Sequence, residues 1–203
     1  MSSSHARTPA SGQRLDPREP LVLDTRELSR RAGSMRPLSR TVPAPPRLGL
    51  ELLSVPEGSD IALDLRLEAV VEGVLVTGRA RMRAVGECGR CLDPVSDELV
   101  VELLQLYAYP DSEVPEDEDT ERLVGDLLDL EPALRDAVVL TLPLTPLCDP
   151  DCAGLCVDCG QRLDDLPEDH GHETADPRWA ALTALQPAGE ADPDNEESPG
   201  GRS

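Results

Sequence analysis

Between residues 61 and 84 the chain follows a period of two in its apolar and polar positions. Ile61, Leu63, Leu65, Leu67 and Ala69 are separated by Asp64, Arg66 and Glu68, and after Glu72-Gly73 the residues Val74, Val76, Gly78, Ala80, Met82 and Ala84 alternate with Thr77, Arg79, Arg81 and Arg83. A period of two sends successive side chains to opposite faces, so the pattern predicts two half-buried antiparallel strands. The run LVVELLQLYAY, residues 99–109, predicts a third strand after a connection that holds Cys88 and Cys91. From residue 124 the period changes. Leu134, Ala137, Val138 and Thr141 fall at helical spacing, Asp129 stands as an N-cap, Pro132 lies in the first turn and Pro143 stops the helix. Such a helix can cover one face of the sheet.

The flanking segments read differently. Residues 1–20 are expected to be a disordered lead, and residues 24–47 form an arm rich in Arg (Arg26, Arg30, Arg31, Arg36, Arg40) that ends in the prolines Pro43, Pro45 and Pro46. This arm is either a solvated linker or a contact for RNA or a partner protein. Residues 110–121 are an acidic loop, residues 146–186 hold a cysteine cluster and a short helix over 176–185 capped by Asp176, and residues 187–203 are an acidic disordered tail. The expected architecture is α+β. An antiparallel β-rich core over residues 21–145, either a small sheet or a partly open barrel, carries one covering helix and is followed by a C-terminal zinc-knuckle segment.

Composition sharpens this picture. Aromatic residues are 1% of the 203, with no Phe, one Trp (Trp179) and two Tyr (Tyr107, Tyr109), so the core is built from Leu, Val and Ala, which bury less area each. The 6 Cys are the obvious supplementary staple. All 19 basic residues are Arg, and the net charge is −21. Residues 1–50 hold nine Arg against four acids, so the negative charge belongs to the rest of the chain. An acidic body repels phosphate and argues against general nucleic-acid binding through it, an objection that the basic arm escapes. The Arg79, Arg81, Arg83 stripe is a candidate anion surface or a solvated face paired with neighbouring carboxylates. No apolar run of membrane-spanning length and no signal peptide is present, which points to the cytoplasm, where close cysteines bind metal more often than they form disulfides.

The cysteines carry the chemistry. Cys88-Gly89-Arg90-Cys91 is a CxxC between strands, and Cys148, Cys152, Cys156 and Cys159 fall within twelve residues, the last pair in the form CVDCG. A CxxC followed by Gly turns both thiolates to one point with backbone N–H groups aimed at sulfur, the knuckle of zinc ribbons. Two arrangements stay open. Cys148, Cys152, Cys156 and Cys159 can form one tetrahedral zinc site, favoured because local ligands close only short loops, or the knuckles Cys88/Cys91 and Cys156/Cys159 can share a zinc. His170 and His172 can complete a second site with Cys88 and Cys91, or, as a His-x-His in an acidic loop, simply face solvent. Thioredoxin-like redox chemistry is disfavoured because neither pair opens a helix whose dipole would acidify a thiol, although reversible oxidation with loss of metal remains a distinct reading. No phosphate loop, dinucleotide fingerprint or nucleophile elbow is present, so neither an enzyme nor a small-molecule substrate is expected.

The ordered blocks VLDTRELSRRAGSMRPLSRTVPAP, LDLRLEAVVEGVLVTGRA, GECGRCLDPV, DLEPALRDAVVLTLPLTPLCDPDCAGLCVDCGQRLDD and DPRWAAL resemble the YceD family of large ribosomal RNA subunit accumulation proteins, in the form found in GC-rich Gram-positive bacteria. The resemblance runs from about Leu21 to Leu185. It implies a cytoplasmic, non-enzymatic ribosome-biogenesis factor with a β-rich core, acting on large-subunit (23S) ribosomal RNA precursors or on a ribosome-assembly protein. The family's CxRC motif falls on Cys88, Arg90 and Cys91, which adds Arg90 to the candidate contacts. The later cysteine cluster occurs in only part of the family, which implies a local structural zinc rather than a shared activity. A zinc-stapled acidic adaptor for a basic protein is the alternative.

Overall fold

The computed structural model describes residues 15–115 and 121–172. The helix expected over 176–185, the tail and most of the lead lie outside them. The chain divides after Leu155 into two compact units.

In the first unit, β1 (Val22–Asp24) and β9 (Leu127–Asp129) form a two-stranded antiparallel sheet. A seven-stranded sheet holds β2 (Met35–Pro43), β3 (Leu48–Gly49), β4 (Leu53–Val55), β5 (Asp60–Ala69), β6 (Gly73–Glu87), β7 (Pro94–Ala108) and β8 (Glu121–Arg122). Strand β6 is its axis: β7 pairs with β6 from Gly73↔Ala108 to Glu87↔Pro94, while β5 and then β4 share the opposite edge. All pairings are antiparallel except the short β7–β8 contact, and the sheet does not close into a barrel.

The period-two pattern is realised as read. Ile61, Leu63, Leu65 and Leu67 of β5, Val76, Ala80 and Met82 of β6, and Val101, Leu103 and Tyr107 of β7 are buried on one face. Helix α1 (Glu131–Thr141) packs against β7 and β3 and contributes Leu134 and Val138, one turn apart and both fully buried. Each such side chain is worth about 1.5–3 kcal/mol relative to exposure. The Asp129 carboxylate accepts from the Glu131 N–H at 2.9 Å, but the N-cap residue is Leu130, so Asp129 tightens the approach to the helix rather than capping it. On the solvent face the arginine stripe is partly neutralised: Arg79 pairs with Glu102 at 3.1 Å and lies opposite Asp64, whereas Arg81 lies between Ala62 and Val100.

The basic arm is a strand over much of its length. Strand β2 pairs with β5 over nine residues and turns Arg36, Leu38, Arg40 and Val42 towards the core side. Leu21 and Thr25 bond towards β9, so the carbonyls of Pro20, Val22 and Asp24 face the other way. The guanidinium of Arg40 donates to the Pro20 carbonyl and lies 3.5 Å from that of Val22, while Arg36 donates to the Asp24 carbonyl at 3.2 Å and pairs with Glu27 at 3.3 Å. These two cations therefore hold the free edge of β1. Arg26 pairs with Asp24, and Arg30 lies 3.5 Å from Asp126 and 4.9 Å over the Tyr109 ring.

Arg40→Ala should cost about 1–3 kcal/mol in chemical denaturation, because it removes the charged donor from the exposed Pro20 carbonyl and the part-buried Val22 carbonyl. Leu134→Ala should cost about 2–5 kcal/mol by leaving a cavity under α1. A stability change for Arg40→Ala below about 0.5 kcal/mol, the range of a surface substitution, would show that the β1 edge does not depend on it.

Candidate metal centre

The turn between β6 and β7 has the form of a metal-binding knuckle. Both strands run for fifteen residues in register, and only 88–93 remain to reverse the chain. The Cys88 N–H donates to the Asp93 carbonyl at 2.7 Å and the Leu92 N–H donates to the Cys88 carbonyl at 3.0 Å. Leu92 takes the place where a glycine normally follows the second cysteine, and it adopts the left-handed φ of 63° that this turn demands. The Arg90 N–H points at the Cys88 sulfur at 3.4 Å.

The chain returns to this tip after α1. The Gly89 N–H donates to the Pro146 carbonyl at 2.8 Å, which sets Cys148 and Cys152 against the knuckle. Cys91 and Cys148 sulfurs stand 3.4 Å apart, those of Cys88 and Cys152 stand 3.9 Å apart, and all four lie within 4.8 Å of one another. A tetrahedral ion bound by sulfurs at about 2.3 Å needs edges of about 3.8 Å, so the four thiols fit a metal ion of that geometry. Cys88, Cys91 and Cys152 are buried, with Val95, Leu147 and Leu155 packed around them. The Cys91 N–H above all pulls the Cys88 thiol down to about 6, with N–H groups of Cys148 and Arg90 adding to it and burial opposing. At Cys88 this favours the thiolate that a metal requires, whereas at Cys91 the Asp93 backbone bond is outweighed by burial and the facing thiols, which push that thiol up to about 12.

This set differs from the one expected. The sequence favours Cys148, Cys152, Cys156 and Cys159, or Cys88/Cys91 with Cys156/Cys159. Instead Cys148 and Cys152 join Cys88 and Cys91, while Cys156 and Cys159 belong to the second unit and gather with His170 and His172. Loop-closure entropy favours local ligands only when nothing else brings distant ones together. Here the β6–β7 hairpin and α1 have already closed the 57-residue separation between Cys91 and Cys148. His170 and His172 likewise pair with the second knuckle rather than with Cys88 and Cys91.

Arg90 spans the site. Its guanidinium donates to the Cys152 carbonyl at 2.7 Å, tying the hairpin tip to the incoming loop. The same loop needs Gly154, whose φ is 86° and whose added Cβ would lie 3.2 Å from the Arg90 carbonyl oxygen. Arg31 is exposed, while Arg26, Arg30, Arg36 and Arg40 lie around β1 as described above. The cation of the CxRC motif is thus occupied within the fold.

Leu92→Val should destabilise by about 1–2 kcal/mol, since a β-branched side chain resists the left-handed region. Leu92→Gly should cost less than about 1 kcal/mol, because the leucine is 57% exposed and buries little. Thermal melts of the two variants should rank Gly above Val, and the reverse order would overturn the strained-turn account.

Comparison with known proteins agrees with the sequence resemblance. The family model described as large ribosomal RNA subunit accumulation protein YceD matches residues 76–186, which take in most of β6, all of β7, α1 and all six cysteines. An uncharacterized protein of Mycobacterium tuberculosis is 48% identical over 169 residues, 82% of this chain and 81% of its own length. An uncharacterized protein of Mycobacterium leprae is 44% identical over 82% of this chain and 77% of its own length. No solved structure matches. No helix among the described residues is long and apolar enough to cross a membrane. With the family model matching more than half of the chain, and relatives nearly half identical over four fifths of it, the chain belongs to the YceD family.

Proposed function

We propose that the protein is a non-enzymatic, cytoplasmic ribosome-biogenesis factor that supports accumulation or processing of large-subunit (23S) ribosomal RNA, with a structural zinc on Cys88, Cys91, Cys148 and Cys152. The family match carries this reading, since it falls on the β6–β7 hairpin, α1 and the cysteine loops. Four thiolates close the coordination of zinc, leave no position for a reacting water, and make the site a staple rather than a catalyst. Bound there, zinc would add folding free energy on the order of 10 kcal/mol to a core with almost no aromatic residues. The decisive experiment is depletion of the protein in its host, which should lower large-subunit RNA relative to small-subunit RNA and raise its precursors. An unchanged ratio would overturn the reading.

Contact is made through a protein partner with a basic surface. The net charge of −21 favours this, as does the engagement of Arg26, Arg30, Arg36 and Arg40 within the fold. Acidic surfaces steer basic partners by long-range attraction that salt weakens. An Arg30→Ala/Arg31→Ala variant should therefore keep its co-sedimentation with precursor large-subunit particles, whereas added salt should release it. Loss of binding in that variant at low salt would return the contact to the arm and to RNA.

Removal of zinc by a strong chelator under reducing conditions should abolish the cooperative melt or lower its midpoint by more than 10 °C, a drop that about 2–5 kcal/mol at the midpoint would produce. A metal-free protein that melts as before would exclude the staple.

A further inference from the structure

The first site leaves Cys156, Cys159, His170 and His172 unused, and their local structure repeats that of the β6–β7 turn. In the first knuckle the Cys88 N–H donates to the carbonyl five residues on, at Asp93, and the Leu92 N–H returns to the Cys88 carbonyl. In the second, the Cys156 N–H donates to Gln161, also five residues on, at 2.8 Å, and the Gly160 N–H returns to the Cys156 carbonyl at 2.8 Å. Leu92 has φ of 63° and Gly160 has φ of 69°. Two turns of unlike sequence, in two separate units, thus adopt one hydrogen-bonded form that aims a pair of sulfurs at one point.

The histidines meet this pair. His170 and His172 are two residues apart, a spacing that places both on one side of an extended chain, and their rings meet edge to face at 85° with centroids 4.6 Å apart. The Cys159 sulfur lies 3.6 Å from His170 Nε2, and the two Nε2 atoms lie 3.0 Å apart. With zinc–sulfur bonds of about 2.3 Å and zinc–nitrogen bonds of about 2.05 Å, a tetrahedral site has a sulfur–nitrogen edge of about 3.6 Å and a nitrogen–nitrogen edge of about 3.3 Å. All four donor atoms lie within 4.8 Å of one another.

We propose that Cys156, Cys159, His170 and His172 bind a second zinc ion, in a site of two thiolates and two imidazoles that is separate from the all-thiolate site of the β core. Two borderline-soft nitrogens and two soft sulfurs in a tetrahedral arrangement select zinc over the hard cations, which take oxygen ligands. The seventeen residues from Cys156 to His172 contain the single 3-10 turn Leu163–Asp165 and no strand or helix among the described residues, so the ion would serve as the core of this segment. The proposal goes beyond the ribosomal reading and stands whatever depletion of the protein shows.

The test is metal content of the full-length, reduced protein. Wild type should carry two zinc ions per chain, and His170→Ala/His172→Ala should carry one while keeping the cooperative melt of the β core. Replacing both histidines by cysteine should restore the second ion. Cobalt substitution supplies an independent reading, because the d–d bands lost in the alanine variant should be those of a mixed sulfur and nitrogen site, at shorter wavelength than those retained. Two ions in the alanine variant would mean that the histidines are not ligands, and one ion in both proteins would mean that the imidazoles only hydrogen-bond to each other. Either result overturns the second site. Wild type without zinc would overturn both sites together, whereas one ion in wild type overturns the second site and leaves the first.

Discussion

Everything in the first unit depends on the pairing of β6 with β7. Fifteen consecutive residues of each strand are in register from Gly73↔Ala108 to Glu87↔Pro94, and β5, β4 and β8 take their positions from this ladder. The buried faces of the two strands supply the centre of the core, on which α1 and the β1–β9 pair rest. A ladder this long must be closed at its end, and it is closed by a cysteine knuckle whose backbone bonds fix the turn as firmly as the strands fix the hairpin.

The knuckle then links two levels of the fold. A core of Leu, Val and Ala has less area to bury than one with aromatic rings, and the described residues after α1 form no strand that would hold them. Gly89, Arg90, Cys148, Cys152 and Gly154 join that segment to the hairpin tip through two hydrogen bonds and four converging sulfurs. The cost of closing so long a loop grows only logarithmically with its length, and the hairpin and helix have already met most of it. Once the thiols converge, ionising them together without a cation would set negative charges a few ångströms apart in a buried site, a physical demand that a bound metal ion would answer.

Much of this was legible in the sequence, for reasons that differ by element. Strands β5, β6 and β7 announce themselves because one face of each is buried and the other wet, so hydropathy alternates along them. Helix α1 is legible from Leu134, Val138 and the prolines around it. Strand β2 was hidden because its core-facing positions include Arg36 and Arg40, which reads as a solvated segment unless one knows that unpaired carbonyls of β1 await them. The cysteines were legible as candidate metal ligands, but the groups in which they gather were not, because those follow from tertiary proximity and sequence distance is a poor guide to it. The clue available was that Cys88/Cys91 and Cys156/Cys159 are each a complete CxxC pair, which can form two separate knuckles as well as two halves of one, with the H-x-H at 170–172 as donors near the second.

The unbroken β6–β7 register also bears on how such chains can change length. A single residue added to or removed from one strand would exchange its inward and outward side chains over every rung beyond that point, exposing leucines such as Leu103 and burying arginines such as Arg83. It would also shift the knuckle out of phase with the loop that meets it. Viable insertions and deletions are therefore confined to segments outside the ladder, and a lineage can lengthen its connections freely while the hairpin keeps the same count of residues.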